Sequence, residues 1–337
     1  MPVIEKHIVI DEIDPRVLYG ANNVYLRMLK ALYPKLRIVA RDNVIKAIGD
    51  ELAISDFEST IQLLVSRCAK YNTLRETDII DIVKGKKPYE EEEDGVIVYD
   101  IKGRPIRAKT ENQQLLVKAY AKQDLMFVVG PAGTGKTYTA IALAVKALKN
   151  KEVRRLILSR PAVEAGEKLG FLPGDMKDKI DPYLRPLYDA LEEMIQPTRL
   201  KDMLEDGTIQ IAPLAFMRGR TLSDAVVILD EAQNTTSAQI KMFLTRMGFN
   251  TKMIVTGDRT QIDLPLAQRS GLEEAMRILK GVRGIAFVEM NKKDIVRNPL
   301  VTRIVDAYEK DSEQKKVSIN VHEDPDEAEP DADDKSD

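Results

Sequence analysis

A lysine and a threonine, Lys136 and Thr137, close the stretch GPAGTGKT. With Gly130 and Gly135 they satisfy the spacing GxxxxGK followed by Ser or Thr, in which backbone N–H groups curl around the β-phosphate of a nucleotide. Gly130, Pro131, Ala132, Gly133, Thr134 and Gly135 form the predicted cradle. A helix opening at the loop adds positive potential at its N-terminus. Lys136 then supplies a mobile cation for the β- and γ-phosphates, and the Thr137 hydroxyl a ligand for Mg²⁺.

Two further groups have the types to complete such a site. AVVILDEAQN ends an apolar run with Asp230 and Glu231. A carboxylate at the end of a buried strand is costly unless it meets a cation, so Asp230 is expected to hold Mg²⁺ through water. Glu231 is expected to polarise the attacking water as general base. MIVTGDRTQIDLP brings Thr256, Gly257, Asp258 and Gln261 to another strand end, where Gln261 can orient water or sense the γ-phosphate.

These residues need a scaffold that places several strand ends side by side. The runs 125–129, 155–159, 208–212, 225–229, 252–256 and 285–289 are short and apolar without polar alternation. Strands of that kind are buried on both faces, which predicts a parallel sheet covered by helices, a doubly wound α/β domain over 110–311. Ligands of such sheets bind at the carboxyl edge, where all three groups fall. Residues 1–84 read as a small β-α-β-β-α module, with one helix over Pro15–Leu32, a hairpin around Arg41, Asp42 and Asn43, and a second helix at about 54–71. Residues 85–109 read as a charged linker and a second hairpin, and 312–337 as an acidic disordered tail.

Composition removes other chemistries. Cys68 is the only cysteine and sits in an amphipathic pattern, so it is expected as a packed core thiol, with no internal disulfide. The only histidines, His7 and His322, leave no material for a histidine triad or a His-rich metal site. No apolar run is long enough to cross a bilayer and the N-terminus lacks the pattern of a secretory signal, so a cytoplasmic location is expected. The chain carries −3 overall and its last fifteen residues −8, which leaves +5 on residues 1–322 and admits a nucleic-acid partner.

GPAGTGKTYTAIALAV, SRPAVEAGEKLGFLPGDMKDKIDPYLRPLYDAL, MRGRTLSDAVVILDEAQNTT and TGDRTQIDLP resemble the PhoH family of bacterial ATPases, over about 110–308. That family is similar to the RecA-like motor domain of superfamily 1 helicases, with the same order of phosphate loop, DEAQ and GDxxQ. The resemblance implies ATP as the nucleotide, Gln113 as an adenine contact, a role in RNA metabolism beside an endoribonuclease partner, and a homo-oligomer, with a hexameric ring favoured. True helicases carry two such lobes and this chain one, so the resemblance also implies that a second wall for the nucleotide comes from another subunit. Arg297 is the favoured arginine to act across that boundary, with Arg160, Arg218 and Arg220 as the other candidates. Arg160, Glu164, Lys168, Arg185, Arg218 and Arg220 are candidate contacts for a phosphate backbone, and Tyr183 and Tyr188 for stacking on bases. The N-terminal module resembles a KH-like RNA-binding domain in its order of elements, without a clear GxxG loop.

The expected function is thus Mg²⁺-dependent ATP hydrolysis coupled to RNA binding or remodelling. A nucleotide-gated scaffold that recruits an endoribonuclease is the alternative. A small-molecule kinase fits less well, because a carboxylate poised on water promotes hydrolysis.

Overall fold

The computed structural model describes residues 3–86, 95–161, 176–265, 268–296, 300 and 303–304. Met1–Ile295 forms one compact unit, and Val296–Asp337 a second, of which only residues 296, 300, 303 and 304 are described. The acidic tail and residues 87–94 of the expected linker therefore lie outside the described residues.

Six parallel strands organise the larger part of the first unit: β6 (Leu125–Val129), β7 (Arg155–Arg160), β8 (Ile209–Pro213), β9 (Ala225–Leu229), β10 (Thr251–Gly257) and β11 (Ile285–Glu289). Their order is β11-β6-β10-β9-β7-β8. All six apolar runs singled out from the sequence are strands of this sheet. The reason is visible in the packing, because successive residues of each strand enter opposite cores. Met126, Val128, Leu156, Leu158, Val226, Ile228 and Ile254 pack with α6 (Lys136–Lys149) and α7 (Met176–Met194). Phe127, Val129, Ile157, Val227, Leu229, Met253 and Val255 pack with α9 (Ser237–Leu244) and α10 (Gly271–Leu279) on the other face. The sheet is thus the covered phosphate-loop NTPase scaffold expected. Helix α6 is buried without a break from Thr139 to Val145, which its alanines allow by letting sheet and neighbouring helices approach closely.

The N-terminal module contains β1 (Val3–Val9), α1 (Pro15–Tyr19), α2 (Val24–Leu32), β2 (Arg37–Arg41), β3 (Val44–Asp50), α3 (Glu51–Tyr71) and α4 (Glu76–Val83). Its three strands pair antiparallel in the order β1-β3-β2. The hairpin falls where expected, with Asp42 in the left-handed region at φ 48°. The single helix expected over Pro15–Leu32 is instead two. Gly20, Asn22 and Asn23 have φ of 73°, 52° and 60°, left-handed values that no continuous α-helix accepts. A Cβ at Gly20 would lie 2.6 Å from the Tyr25 ring, so the break is built into the packing. Helix α4, which the sequence reading did not anticipate, closes the module's core with Ile79 and Ile82. Cys68 is buried in that core, and burial pushes its thiol up to about 12, the packed and unreactive cysteine expected.

A hairpin of β4 (Val96–Tyr99) and β5 (Pro105–Arg107) leads into α5 (Glu111–Lys122), and α8 (Pro197–Glu205) runs into β8. Module and sheet meet at Asn72, the C-cap of α3 at φ 56°. Its Nδ2 donates to the carbonyls of Tyr99, Asp100 and Met194, and its Oδ1 accepts from Lys149 Nζ at 2.9 Å. Three other chain segments converge on this one side chain. Among the described residues no helix is long and apolar enough to cross a membrane.

Candidate nucleotide site

The site is built at the carboxyl ends of β6, β9, β10 and β7, which the strand order sets next to one another. Strand β6 delivers the loop Gly130–Gly135. Gly130, Gly133 and Gly135 have φ of 157°, 84° and 77°, values that favour glycine. A Cβ at Gly130 would stand 2.5 Å from the Met290 carbonyl oxygen, so only glycine lets the loop start this close to the chain leaving β11. Lys136 opens α6, with Gly135 as the N-cap and no side chain capping the helix. The first amides of α6 therefore stay available to an anion. Lys136 folds back into the loop, its Nζ donating to the carbonyls of Gly130 at 2.6 Å and Pro131 at 2.9 Å. Thr134 Oγ1 donates to Pro131 O and ties the two arms of the loop together.

Gln113, expected to contact adenine, lies buried behind the loop. Its Nε2 donates to Thr134 O at 3.0 Å and its Oε1 accepts from Lys109 N at 2.7 Å. The amide braces the phosphate loop.

Asp230 follows β9 and is 1% exposed. Its Oδ1 accepts from the hydroxyls of Thr137 and Thr256, each at 2.6 Å. Its Oδ2 accepts from Arg160, Nε at 2.8 Å and Nη2 at 2.5 Å. A hydroxyl and a carboxylate, both hard oxygen donors, thus stand side by side at the mouth of the loop, a donor set that suits Mg²⁺. Thr137 and Asp230 are the two residues expected to serve the metal, and the fold brings them together.

Glu231 sits at φ 55°, a left-handed conformation that costs a non-glycine residue energy and marks a constrained position. Its side chain is 40% exposed and lies 3.8 Å from Arg160 Nη2. Gln233 fixes it, with Nε2 donating to Glu231 Oε2 at 2.6 Å and to the carbonyl of Gln261 at 3.0 Å, while Gln233 Oε1 accepts from Asp258 N. One glutamine therefore joins the loop after β9 to the loop after β10. Asn234 repeats the link by exchanging hydrogen bonds with Asp263. The reading of the sequence passed over Gln233, although it lies two residues beyond Glu231 in the same motif. The Gln261 side chain itself is exposed at the rim.

The arginine and tyrosine candidates separate. Arg160 is engaged by its own chain at Asp230, with a side chain only 15% exposed, and does not face outward as a trans-acting arginine would. Arg220 is bound to Gln210 Oε1, whereas Arg218 is exposed. Arg185 pairs with Asp189 and Glu192 on the outer side of α7. Tyr188 packs against the sheet's core and Tyr183 is exposed. Glu164, Lys168 and Arg297 lie outside the described residues.

A family model described as "PhoH-like protein" matches residues 105–309, more than half of the chain. This chain belongs to the PhoH family. The PhoH-like protein of Bacillus subtilis is 48% identical over 302 residues, covering 87% of this chain and 93% of that protein. A PhoH-like protein of Synechocystis is 50% identical over 279 residues, 81% and 85% of the two chains. Protein PhoH of Escherichia coli K12 is 47% identical over 206 residues, 60% and 58%. Among solved structures, the Pif1 helicase of Candida albicans overlaps 60% of this chain and 43% of its own at 15% identity, and a TM-score of 0.33 carries no functional argument. The PhoH-family match spans the sheet and every residue of the site above, so the nucleotide-binding machinery lies within the shared part.

Proposed function

We propose that this PhoH-family chain is an ATPase that uses Mg²⁺ and couples hydrolysis to the binding or remodelling of RNA, as a homo-oligomer. The observation that carries the reading is the 2.6 Å contact of Thr137 Oγ1 with Asp230 Oδ1 beside an open glycine loop and an uncapped helix N-terminus. Bound there, Mg²⁺ supplies charge neutralisation at the phosphates. The chain's own residues do the rest. Lys136 exchanges the carbonyls of Gly130 and Pro131 for phosphate oxygens. Thr137 and Asp230 hold the metal, and Asp230 is kept in place by Thr256. Glu231, fixed by Gln233 yet open to solvent, takes the proton of the attacking water. Gln233 transmits any shift of the Gln261 loop to that carboxylate, a route by which a third phosphate could be sensed.

RNA is the partner that the mild positive charge of residues 1–322 favours, with the exposed Arg218 and Tyr183 as first contacts to test. Arg297 and Arg218 are the arginines to replace in a search for one acting across a subunit boundary. Phosphate release from ATP, with and without single-stranded RNA, tests the whole reading. Glu231→Gln is expected to lower turnover about 10²-fold or more while ATP is still bound. Unchanged turnover in that variant would remove Glu231 from the mechanism, and no RNA stimulation at any salt concentration would remove the coupling.

A further inference from the structure

Asp230 raises a question of charge. It is almost fully buried at the end of a strand buried throughout, where an unpaired carboxylate is strongly disfavoured. Three side chains meet it, and only one is charged. Thr137 and Thr256 occupy Oδ1, and the Arg160 guanidinium takes Oδ2 through two of its nitrogens. Arg160 ends β7, whose Ser159 is in register with Leu229 of β9, so the two strands deliver cation and anion to the same height. Its third nitrogen, Nη1, donates to the carbonyl of Tyr183 in α7 at 2.8 Å. The guanidinium is therefore fixed from both sides by groups of its own chain.

We propose that Arg160 is the resident counter-ion of the metal carboxylate. It is a positioning residue that holds Asp230 with Oδ1 turned to Thr137, supplies the positive charge beside that buried carboxylate, and opposes a divalent ion there by like charge. This inference rests on the Mg²⁺-nucleotide reading above. Two consequences separate it from a mere staple between strand ends. Losing Arg160 must destabilise the metal-free protein more than the metal-loaded one, because Mg²⁺ then supplies the missing positive charge. Losing Arg160 must also strengthen the site's hold on Mg²⁺, since a fixed positive charge a few ångströms away has been removed.

The test uses the full chain in four forms: wild type, Arg160→Gln, Arg160→Lys, and Arg160→Gln combined with Asp230→Asn. Melting temperature is read in EDTA and in Mg²⁺ with a non-hydrolysable ATP analogue, and half-saturating Mg²⁺ is read from binding of a fluorescent analogue. Arg160→Gln is expected to melt well below wild type in EDTA and to recover most of the gap with Mg²⁺ and the analogue. Its half-saturating Mg²⁺ should fall about tenfold. Arg160→Lys keeps the charge, so its Mg²⁺ dependence should stay near that of wild type even if it melts earlier. In the double variant no buried carboxylate remains, so its metal-free melting temperature should rise back above that of Arg160→Gln. An equal loss of melting temperature in both conditions, with half-saturating Mg²⁺ unmoved, would overturn the proposal and leave Arg160 a structural tie. If wild type itself shows no shift with Mg²⁺ and the analogue, the ATPase reading falls, and this inference with it. A clear wild-type shift alongside an unmoved Arg160→Gln sinks only the counter-ion.

Discussion

Helix α6 has two ends that could hardly differ more. At its start, left-handed glycines and a folded-back lysine leave backbone amides and a cation available to a ligand. At its finish, Lys149 reaches the amide of Asn72, which is itself saturated by three carbonyls from two other elements. One end keeps its polar groups in reserve and the other spends them all. A single helix can thus serve a changing ligand at one terminus because the opposite terminus is anchored, and the anchor is the N-terminal module.

That contrast predicts a clean separation of effects. Lys136→Ala should lower ATP turnover about a thousandfold or more, since it removes the cation that faces transferred phosphate, with little change in melting temperature. Asn72→Ala should do the reverse. It removes the donor shared by the carbonyls of Tyr99, Asp100 and Met194 and the acceptor of Lys149 Nζ, and should cost about 3 kcal/mol in urea denaturation, with turnover of the folded protein within about twofold of wild type. A loss of turnover in Asn72→Ala well below its melting temperature would show that the two ends are coupled.

A pH series sharpens the anchored end. Burial lowers the Lys149 ammonium from 10.5 to about 8. Below pH 8 folded and unfolded chains are both protonated there and the cost of burial is fully felt. Between about 8 and 10.5 the folded chain sheds the proton while the unfolded chain keeps it, so stability should climb with pH. Lys149→Met should lack this climb. The difference between the two proteins over pH 7–9.5 is the quantity to measure, because the buried tyrosines then cancel. The smallest effect concerns Cys68, whose alkylation by iodoacetamide at pH 8 should wait on unfolding of the module.

The same contrast explains what could be read without a structure. The six strands announced themselves because burial on both faces admits only apolar residues, and the phosphate loop because its chemistry is set by neighbours in sequence. The placing of Thr137 beside Asp230 follows from motif order within such a sheet. Arg160, one of several arginine candidates, turns inward to Asp230 for a concrete reason. Its partner is decided by β7 lying next to β9, an order that nothing in either strand encodes. Gln233 bridges two loops whose meeting depends on β9 and β10 being neighbours. Asn72 and the break at Gly20–Asn23 were invisible because an asparagine in a left-handed turn has no periodicity to betray it.

Among the described residues, strand β6, which carries the phosphate loop, pairs with β10 and β11, residues 251–257 and 285–289. The strands that follow it directly in the chain, β7 and β8, lie on the far side of β9. Closing such distant pairings before any local reward is slow. The loop strand must therefore wait, apolar on both faces, until nearly the whole folded unit has been synthesised. During that interval its apolar faces and unpaired edges are open to mispairing.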